Sequence, residues 1–238
     1  RGVAQNNSSI VTRGNGSMTF GFSNNNSTIF TGQFSDGCFV GGYANSGGTI
    51  STGSTSPASH VFGFSNSGSF ITTGNNTNAS TVFGYATANS TITTGANSNG
   101  SLAVGYTGSS GELLGALGQT SFAIGRNNTA SGAYSGAIGI SSYANMEGSF
   151  AHSSFQDTVN PVSAGRSQNI KVMGRKVGTQ IVLANGSYAT LPYDGYGDVF
   201  ARLIGSSGTA VGLTFQVTRT AGTYTVAPPI TPSGGILW

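Results

Sequence analysis

The chain has 238 residues and a formal net charge of +3, with only 6% of its residues charged and 39 of them glycine. Nine cations against six anions, for a pI near 9.2, give no basis for general nucleic-acid affinity, and 14 Phe, 9 Tyr and 1 Trp placed in register are incompatible with ordinary disorder. No apolar run approaches the ~18 residues of a membrane helix, so no membrane insertion is expected.

From residue 17 the chain repeats itself. Gly21, Gly42, Gly63, Gly84 and Gly105 stand 21 residues apart, each followed by an aromatic: Phe22, Tyr43, Phe64, Tyr85 and Tyr106. A second series, Ile29, Ile50, Ile71, Ile92 and Leu113, keeps the same interval, and Gly32, Gly53, Gly74 and Gly95 follow its first four members. Such self-similarity marks one unit stacked on copies of itself. Each unit holds two candidate strands, one read from SHVFGF (59–64) and STVFGY (80–85), the other from STIFTG (27–32) and STITTG (90–95). Asn-rich runs such as SNNN (23–26) and NNTN (75–78) separate them and suit turns with positive φ. Helix is excluded, because no stretch keeps a 3.6-residue period and glycine recurs throughout.

Alternation puts Phe62 and Phe64 on one strand face and Val61 and Gly63 on the other. The small face suits a narrow interior, so the repeat glycines are read as structural. His60 shares the aromatic face, which points to packing at an axis or interior rather than catalysis. Cys38, the only cysteine, lies in GCFVGG, read as strand with a buried inert thiol; no intrachain disulfide forms. Four or five sizeable apolar side chains per repeat, at about 1.5–3 kcal/mol each, do not offset the ordering of 21 residues at ~1–2 kcal/mol each. The second apolar face therefore needs cover, and an obligate homo-oligomer with coils packed along a common axis is expected.

After Gly118 the period shortens. In TSFAIGRNNTASGAYSGAIGISSYANMEGSFAHSS (120–154), Ser121–Gly125 and Ser135–Gly139 both read S-x-A-I-G, 14 residues apart. The segment resembles the head repeats of trimeric autotransporter adhesins and related repeats in phage and large-virus tail fibres. That resemblance implies a trimeric β-roll, with alanine and glycine packed tightly and the larger aliphatics buried between strands. It makes Gly125 and Gly139 repeat positions and gives His152, at the end of the last repeat, a structural place at the junction, with the self-cleavage known at such junctions in related fibre proteins as the alternative.

From about Thr158 the repeats stop, dividing the chain into a repetitive region, 1–157, and a C-terminal domain, 158–238. Only Arg1, Arg13 and Asp36 are charged in the first 110 residues; the other twelve charges begin at Glu112. The basic set Arg166, Lys171, Arg175 and Lys176 reads as a solvated linker, with contact to anionic glycans or lipid headgroups as the alternative. Strands are expected at 180–184, 198–205, 211–219 and 223–227, with turns at 185–186, 194–197 and 206–208, the pattern of a small antiparallel β-sandwich. Their order is similar to small C-terminal domains of phage and algal-virus tail fibres. The fold class is all-β: a trimeric β-roll or β-solenoid followed by that sandwich.

Tyr193 and Tyr196 flank the DGYG turn and are placed to project outward, so with Asp194 and Asp198 they form the candidate binding set. The two acids have the oxygen chemistry to share a calcium ion, but a turn with two solvated carboxylates is the plainer reading; no metal and no cofactor is assigned. Glycosidases need two carboxylates flanking the bond, and Asp36, Glu112, Glu147, Asp157, Asp194 and Asp198 show no apposed pair. No catalytic residue is assigned. Eleven N-x-S/T sequons, Asn15, Asn78, Asn89 and Asn99 among them, matter only on a secretory route. The chain does not begin with Met and shows no signal peptide, which reads as a fragment or processed product.

The leading functional expectation is a non-enzymatic fibre or spike on the virion surface, held among other virion proteins, whose C-terminal domain attaches to a host-surface glycan or receptor. The alternatives are a cellular trimeric adhesin, a polysaccharide-degrading tailspike, and an ice-binding solenoid. The last rests on Thr91–Thr93, whose equivalents Thr28–Phe30, Thr49–Ser51 and Phe70–Thr72 break the array.

Overall fold

The computed structural model describes residues 2–155 and, beyond them, 167–171, 174–177, 180–183, 195–204, 210–220 and 223–226. Every regular element among them is a β-strand. The chain runs β1 (Gly2–Ala4), β2 (Ser9–Val11), β3 (Met18–Ser23), β4 (Thr28–Phe30), β5 (Phe39–Asn45), β6 (Thr49–Ser51), β7 (His60–Asn66) and β8 (Phe70–Thr72). It continues through β9 (Thr81–Ala86), β10 (Thr91–Thr94), β11 (Leu102–Thr107), β12 (Leu113–Ala116), β13 (Phe122–Arg126), β14 (Thr129–Ala130), β15 (Gly136–Ile140), β16 (Tyr143–Ala144) and β17 (Phe150–Phe155). Odd-numbered strands from β1 to β17 form one parallel sheet, the long sheet, and even-numbered strands from β2 to β16 form a second, the short sheet. Each strand pairs with its equivalents one repeat before and after. The repetitive region is a β-solenoid.

Gly21, Gly42, Gly63, Gly84, Gly105, Gly125 and Gly139 pair in one unbroken column. A Cβ on Gly63 would stand 2.0 Å from the Gly84 carbonyl oxygen and 2.8 Å from Ile71 Cδ1 of the opposite sheet. The isoleucine of the short strand thus fills the space that glycine leaves. Gly42 also holds φ at +135°, a backbone conformation closed to branched residues. The core is one side-chain layer thick: Val40, Val61, Val82, Ala103, Ala123, Ala137 and Ala151 meet Ile29, Ile50, Ile71, Ile92 and Leu114, all fully buried.

The corners are tied by inward hydroxyls. Ser80 N–H donates to Ser59 Oγ at 3.3 Å and Ser101 N–H to Ser80 Oγ at 3.2 Å, while Ser59 and Ser80 Oγ donate to the carbonyls of Thr77 and Ser98. This geometry explains sequons such as Asn78–Ser80 and Asn99–Ser101: asparagine suits the outer turn, and the serine two residues later is buried and bonded. The expected positive φ appears in the asparagine-rich runs at Asn25, Asn26 and Asn76, and further turns carry it at Ser46–Gly47, Ser67–Gly68 and Ala88–Asn89.

Three readings of the repeats are corrected. Ile92 pairs with Leu114, not Leu113, because the loop before β12 carries one more residue than its predecessors. A one-residue slip reverses strand faces, so Leu114 is buried and Leu113 points outward opposite Thr91. Ile124 and Ile138, expected inside, lie on the outer face, since Ala123 and Ala137 occupy the inward positions beside the glycines. Cys38 lies one residue before β5 rather than in a strand, and it is buried as expected. The 14-residue coils are closed by a side chain that the repeat pattern did not single out. Asn128 is fully buried, its amide donates to the carbonyls of Ile124 and Gly139, and its Oδ1 accepts Ser142 N–H at 2.7 Å.

Beyond the coil, β18 (Ser167–Lys171) pairs antiparallel with β17, and β19 (Gly174–Val177) pairs with β20 (Gln180–Leu183). These strands belong to the same compact unit as the coil, and β21 (Gly195–Ile204), β22 (Ala210–Thr220) and β23 (Thr223–Val226) form a second. The latter three make an antiparallel meander that matches the expected strands; among the described residues of that unit this is the single sheet. Lys171 lies in β18 and Arg175 and Lys176 in β19, so these basic residues occupy strands, not a linker; Arg166 lies outside the described residues.

Gly84→Val tests the thin core at a position without positive φ. Its Cβ would lie 2.3 Å from the Gly105 carbonyl oxygen and 2.5 Å from Ile92 Cδ1. A loss of roughly 3 kcal/mol or more is expected, read as a lowered melting transition by circular dichroism. A variant melting like the parent would show that the coil can widen.

Candidate functional site

With the small residues turned inward, the long sheet presents its larger ones outward in three adjacent columns. One runs Phe22, Tyr43, Phe64, Tyr85, Tyr106. Its rings stack at centroid separations of 5.2, 5.1, 4.7 and 5.5 Å, the middle pairs within 5° of parallel. The second runs Phe20, Gly41, Phe62, Phe83, Val104, Ile124, Ile138. At Gly41 the gap is filled by the Phe20 ring, which reaches across the coil to within 5.8 Å of the Phe62 ring centroid. The third column holds Met18, Phe39, His60, Leu102, Phe122 and Phe150.

This face is open to solvent. Met18, Phe39, Tyr43, Phe83, Tyr85 and Tyr106 are 37–50% exposed, in a strip running from β3 to β11. An apolar surface of that extent marks an interaction site. The ring faces of the stacked column are spent on one another, so what it offers outward is ring edges. That geometry suits packing against another apolar surface and not the stacking of a sugar ring.

The ladder ends on a charge pair. Arg126 continues the column after Tyr106, with its guanidinium carbon 5.4 Å from that ring centroid, and it bonds Glu112 at 2.7 Å. Glu112 also accepts the amides of Gly108 and Ser109 at 2.7 and 3.2 Å. Burial acts to raise the Glu112 pKa, but the bonds from Arg126 and the two amides outweigh it and hold the carboxyl below its ordinary value. The pair sits where the 21-residue coils give way to 14-residue ones. The two residues are themselves 14 apart, one short coil, a signal available in the sequence but read there only as scattered charge.

His60 lies on the outer face with its ring centroid 5.4 Å from Phe39, not in the interior. His152 lies in β17 opposite Asn169 of β18, at the junction of parallel and antiparallel pairing. Burial pushes the Cys38 thiol pKa up, and its Sγ donates to the Ser56 carbonyl at 3.0 Å, in keeping with an inert thiol. Of the C-terminal binding set, Tyr196 and Asp198 lie within β21 opposite Thr218 and Gln216, so the expected DGYG turn is strand from Gly195 onward. Tyr193 and Asp194 fall outside the described residues.

No family model matches the chain. It is 52% identical over 90 residues to "Collagen-like protein 6" of Acanthamoeba polyphaga mimivirus, a stretch covering 38% of this chain and 6% of that protein. The chain therefore spans a small fraction of this relative's length. Apart from Gly105, Gly108 and Gly111, no three glycines here recur at every third position, so the likeness is not one of collagen triplets.

The Glu112–Arg126 pair makes coil stability depend on pH. Because the folded carboxyl holds its proton less readily than the unfolded one, the contribution is complete above the ordinary value of 4.5 and is lost as pH falls through the lower folded value. Arg126 is 42% exposed, which limits the effect to about 1 kcal/mol. Glu112→Gln should lower the melting point at pH 7 and flatten its fall below pH ~4.5; an unchanged pH profile would remove the pair from the stability of the coil.

Proposed function

We propose that this chain is the rod-forming part of an external structural fibre of a virion, a homotrimer whose coils meet through the aromatic face of the long sheet. The observation that carries the proposal is the exposed apolar strip of the long sheet, whose stacked aromatic column runs from Phe22 to Tyr106. The likeness to a mimivirus protein supports the viral setting. Eight strands from β3 to β17, at ~4.8 Å each, extend about 34 Å, and three columns make a strip roughly 15–20 Å wide. That is ~600 Å² per copy and ~1,200 Å² for two facing copies, at the threshold of a stable specific interface. Three copies around an axis let each strip meet two neighbours. The role is non-enzymatic, with other virion proteins as further partners.

Region 158–238 carries attachment to a host-surface glycan or receptor in this proposal. It holds eight of the fifteen charged residues, with Tyr188, Tyr193, Tyr196, Tyr224 and Trp238. Aromatic rings beside polar groups are the usual means of holding a sugar or anchoring an interface.

Two measurements test this. Light scattering on the chain should give three times 23.9 kDa, and Phe83→Lys with Tyr85→Lys, both at outward positions, should yield folded monomer. A monomeric parent, or a double variant that stays trimeric, would overturn the interface. Tyr196→Ala with Asp198→Ala should reduce binding to host cells about tenfold, ~1.4 kcal/mol, without changing assembly. Unchanged adhesion would move attachment away from these residues.

A further inference from the structure

We infer that association through the aromatic face is gated by protonation of His60: copies join while its imidazole is neutral and separate once it is charged. This deepens the assembly proposed above and rests on it, since the gate acts only where a second copy covers that face.

His60 opens β7 and stands in the third outward column, between Phe39 of β5 and Thr81 of β9. Strand alternation puts Phe62 and Phe64 on the same face. In the single coil the imidazole is half-buried, with its ring centroid 5.4 Å from that of Phe39. Its coil is the middle one of those whose rings stack from Phe22 to Tyr106. A copy laid along the strip therefore crosses over this imidazole.

The surroundings offer no counter-charge once water is excluded. β7 packs against β5 and β9 in its own sheet and against β6 and β8 across the core, and none of the four carries a charged residue. Their titratable side chains are Tyr43 and Tyr85, of a class that ionises near pH 10. Cys38, one residue before β5, is buried with its Sγ donating to the Ser56 carbonyl. Asp36, on the turn before β5, is exposed and accepts Asn15 N–H at 2.7 Å. Among the described residues the one ion pair is Glu112–Arg126, in later coils.

A neutral imidazole tolerates an apolar contact. An imidazolium taken from water into the same contact without a partner does not. The Phe39 ring attracts a charged imidazole, but it does so in the free coil as well as in the assembly, so it does not favour the assembled state. Assembled copies consequently bind fewer protons than separated ones. Association is complete above the range in which a histidine titrates and weakens as pH falls through it. Three copies bring three imidazoles, so as many as three protons enter on separation and the dependence is steep. The chain's other histidine, His152, stands opposite Ile138 of β15 and Asn169 of β18, with Lys171 two residues further along β18. It lies beyond the stacked column, which leaves the gate to His60.

The test is sedimentation velocity on the full chain over a dilution series at pH 8 and pH 5.5, with circular dichroism to follow the fold. The acid condition stays above the range in which the Glu112–Arg126 pair is lost. The concentration for half-dissociation is expected to rise at least tenfold at pH 5.5, with the coil still folded. His60→Gln should abolish that rise and His152→Gln should retain it. If His60→Gln assembles poorly at pH 8, His60→Phe, which extends the Phe39 chemistry by one coil, gives the same readout. Equal association of the parent at both pH values would overturn the gate and leave the interface standing. A parent monomeric at both would overturn the interface and the gate with it. A pH dependence that survives in the His60 variants, its loss in His152→Gln alone, or monomers from both His60 variants at pH 8 would each overturn the assignment to His60.

Discussion

The coil depends on one glycine column for both its close approaches. A Cβ at any of Gly21, Gly42, Gly63 or Gly105 would lie within about 2.1 Å of the next coil's carbonyl oxygen in the same sheet, and a Cβ on Gly63 or Gly84 would also stand 2.8 or 2.5 Å from Cδ1 of Ile71 or Ile92 in the opposite sheet. With hydrogen there instead, the isoleucine of the short strand reaches over the glycine and touches the valine or alanine two residues away. The interior is then full with a single layer of side chains. No larger residue of the long strand has room inside, and every one of them must face outward.

That exclusion creates the aromatic strip. In most solenoids an outward residue is polar because water is its only partner. Here phenylalanine and tyrosine stack along the coil, each parallel pair worth about 0.5–1.5 kcal/mol beyond simple burial, and still leave their edges exposed. The ladder stiffens the coil and also leaves a large apolar surface without cover. Such a surface is costly for an isolated rod and useful for one that assembles. The opposite sheet, with serine and threonine in its outer columns, is the side suited to water.

The change of repeat length is managed locally. Where the repeat shortens from 21 to 14 residues, Asn128 makes three side-chain bonds inside the coil. Arg126 ends the ring stack and ties the first short coil to the last long one through Glu112. Charge, nearly absent from the earlier coils, enters where the aromatic column stops. The antiparallel pairing of β18 with β17 then ends the parallel ladder of the long sheet.

The sequence by itself determined the solenoid: the fixed spacing of Gly21 to Gly105, the alternation of Val61, Phe62, Gly63 and Phe64, and the asparagine turns are local facts that any stacking must obey. It also determined that an apolar face would be left over, because four or five large side chains per repeat cannot all fit a coil so thin. Only the tertiary structure decided which leucine of Leu113 and Leu114 entered the core, since a one-residue insertion in a loop has no local signature and shows itself only as register with Ile92. It decided likewise that Ile124 and Ile138 face outward, because the inward site was already claimed by alanine. The partnership of Glu112 with Arg126 belongs to the same class. It is a contact between successive coils, and its existence depends on the rise from one coil to the next rather than on any residue's neighbours in the chain.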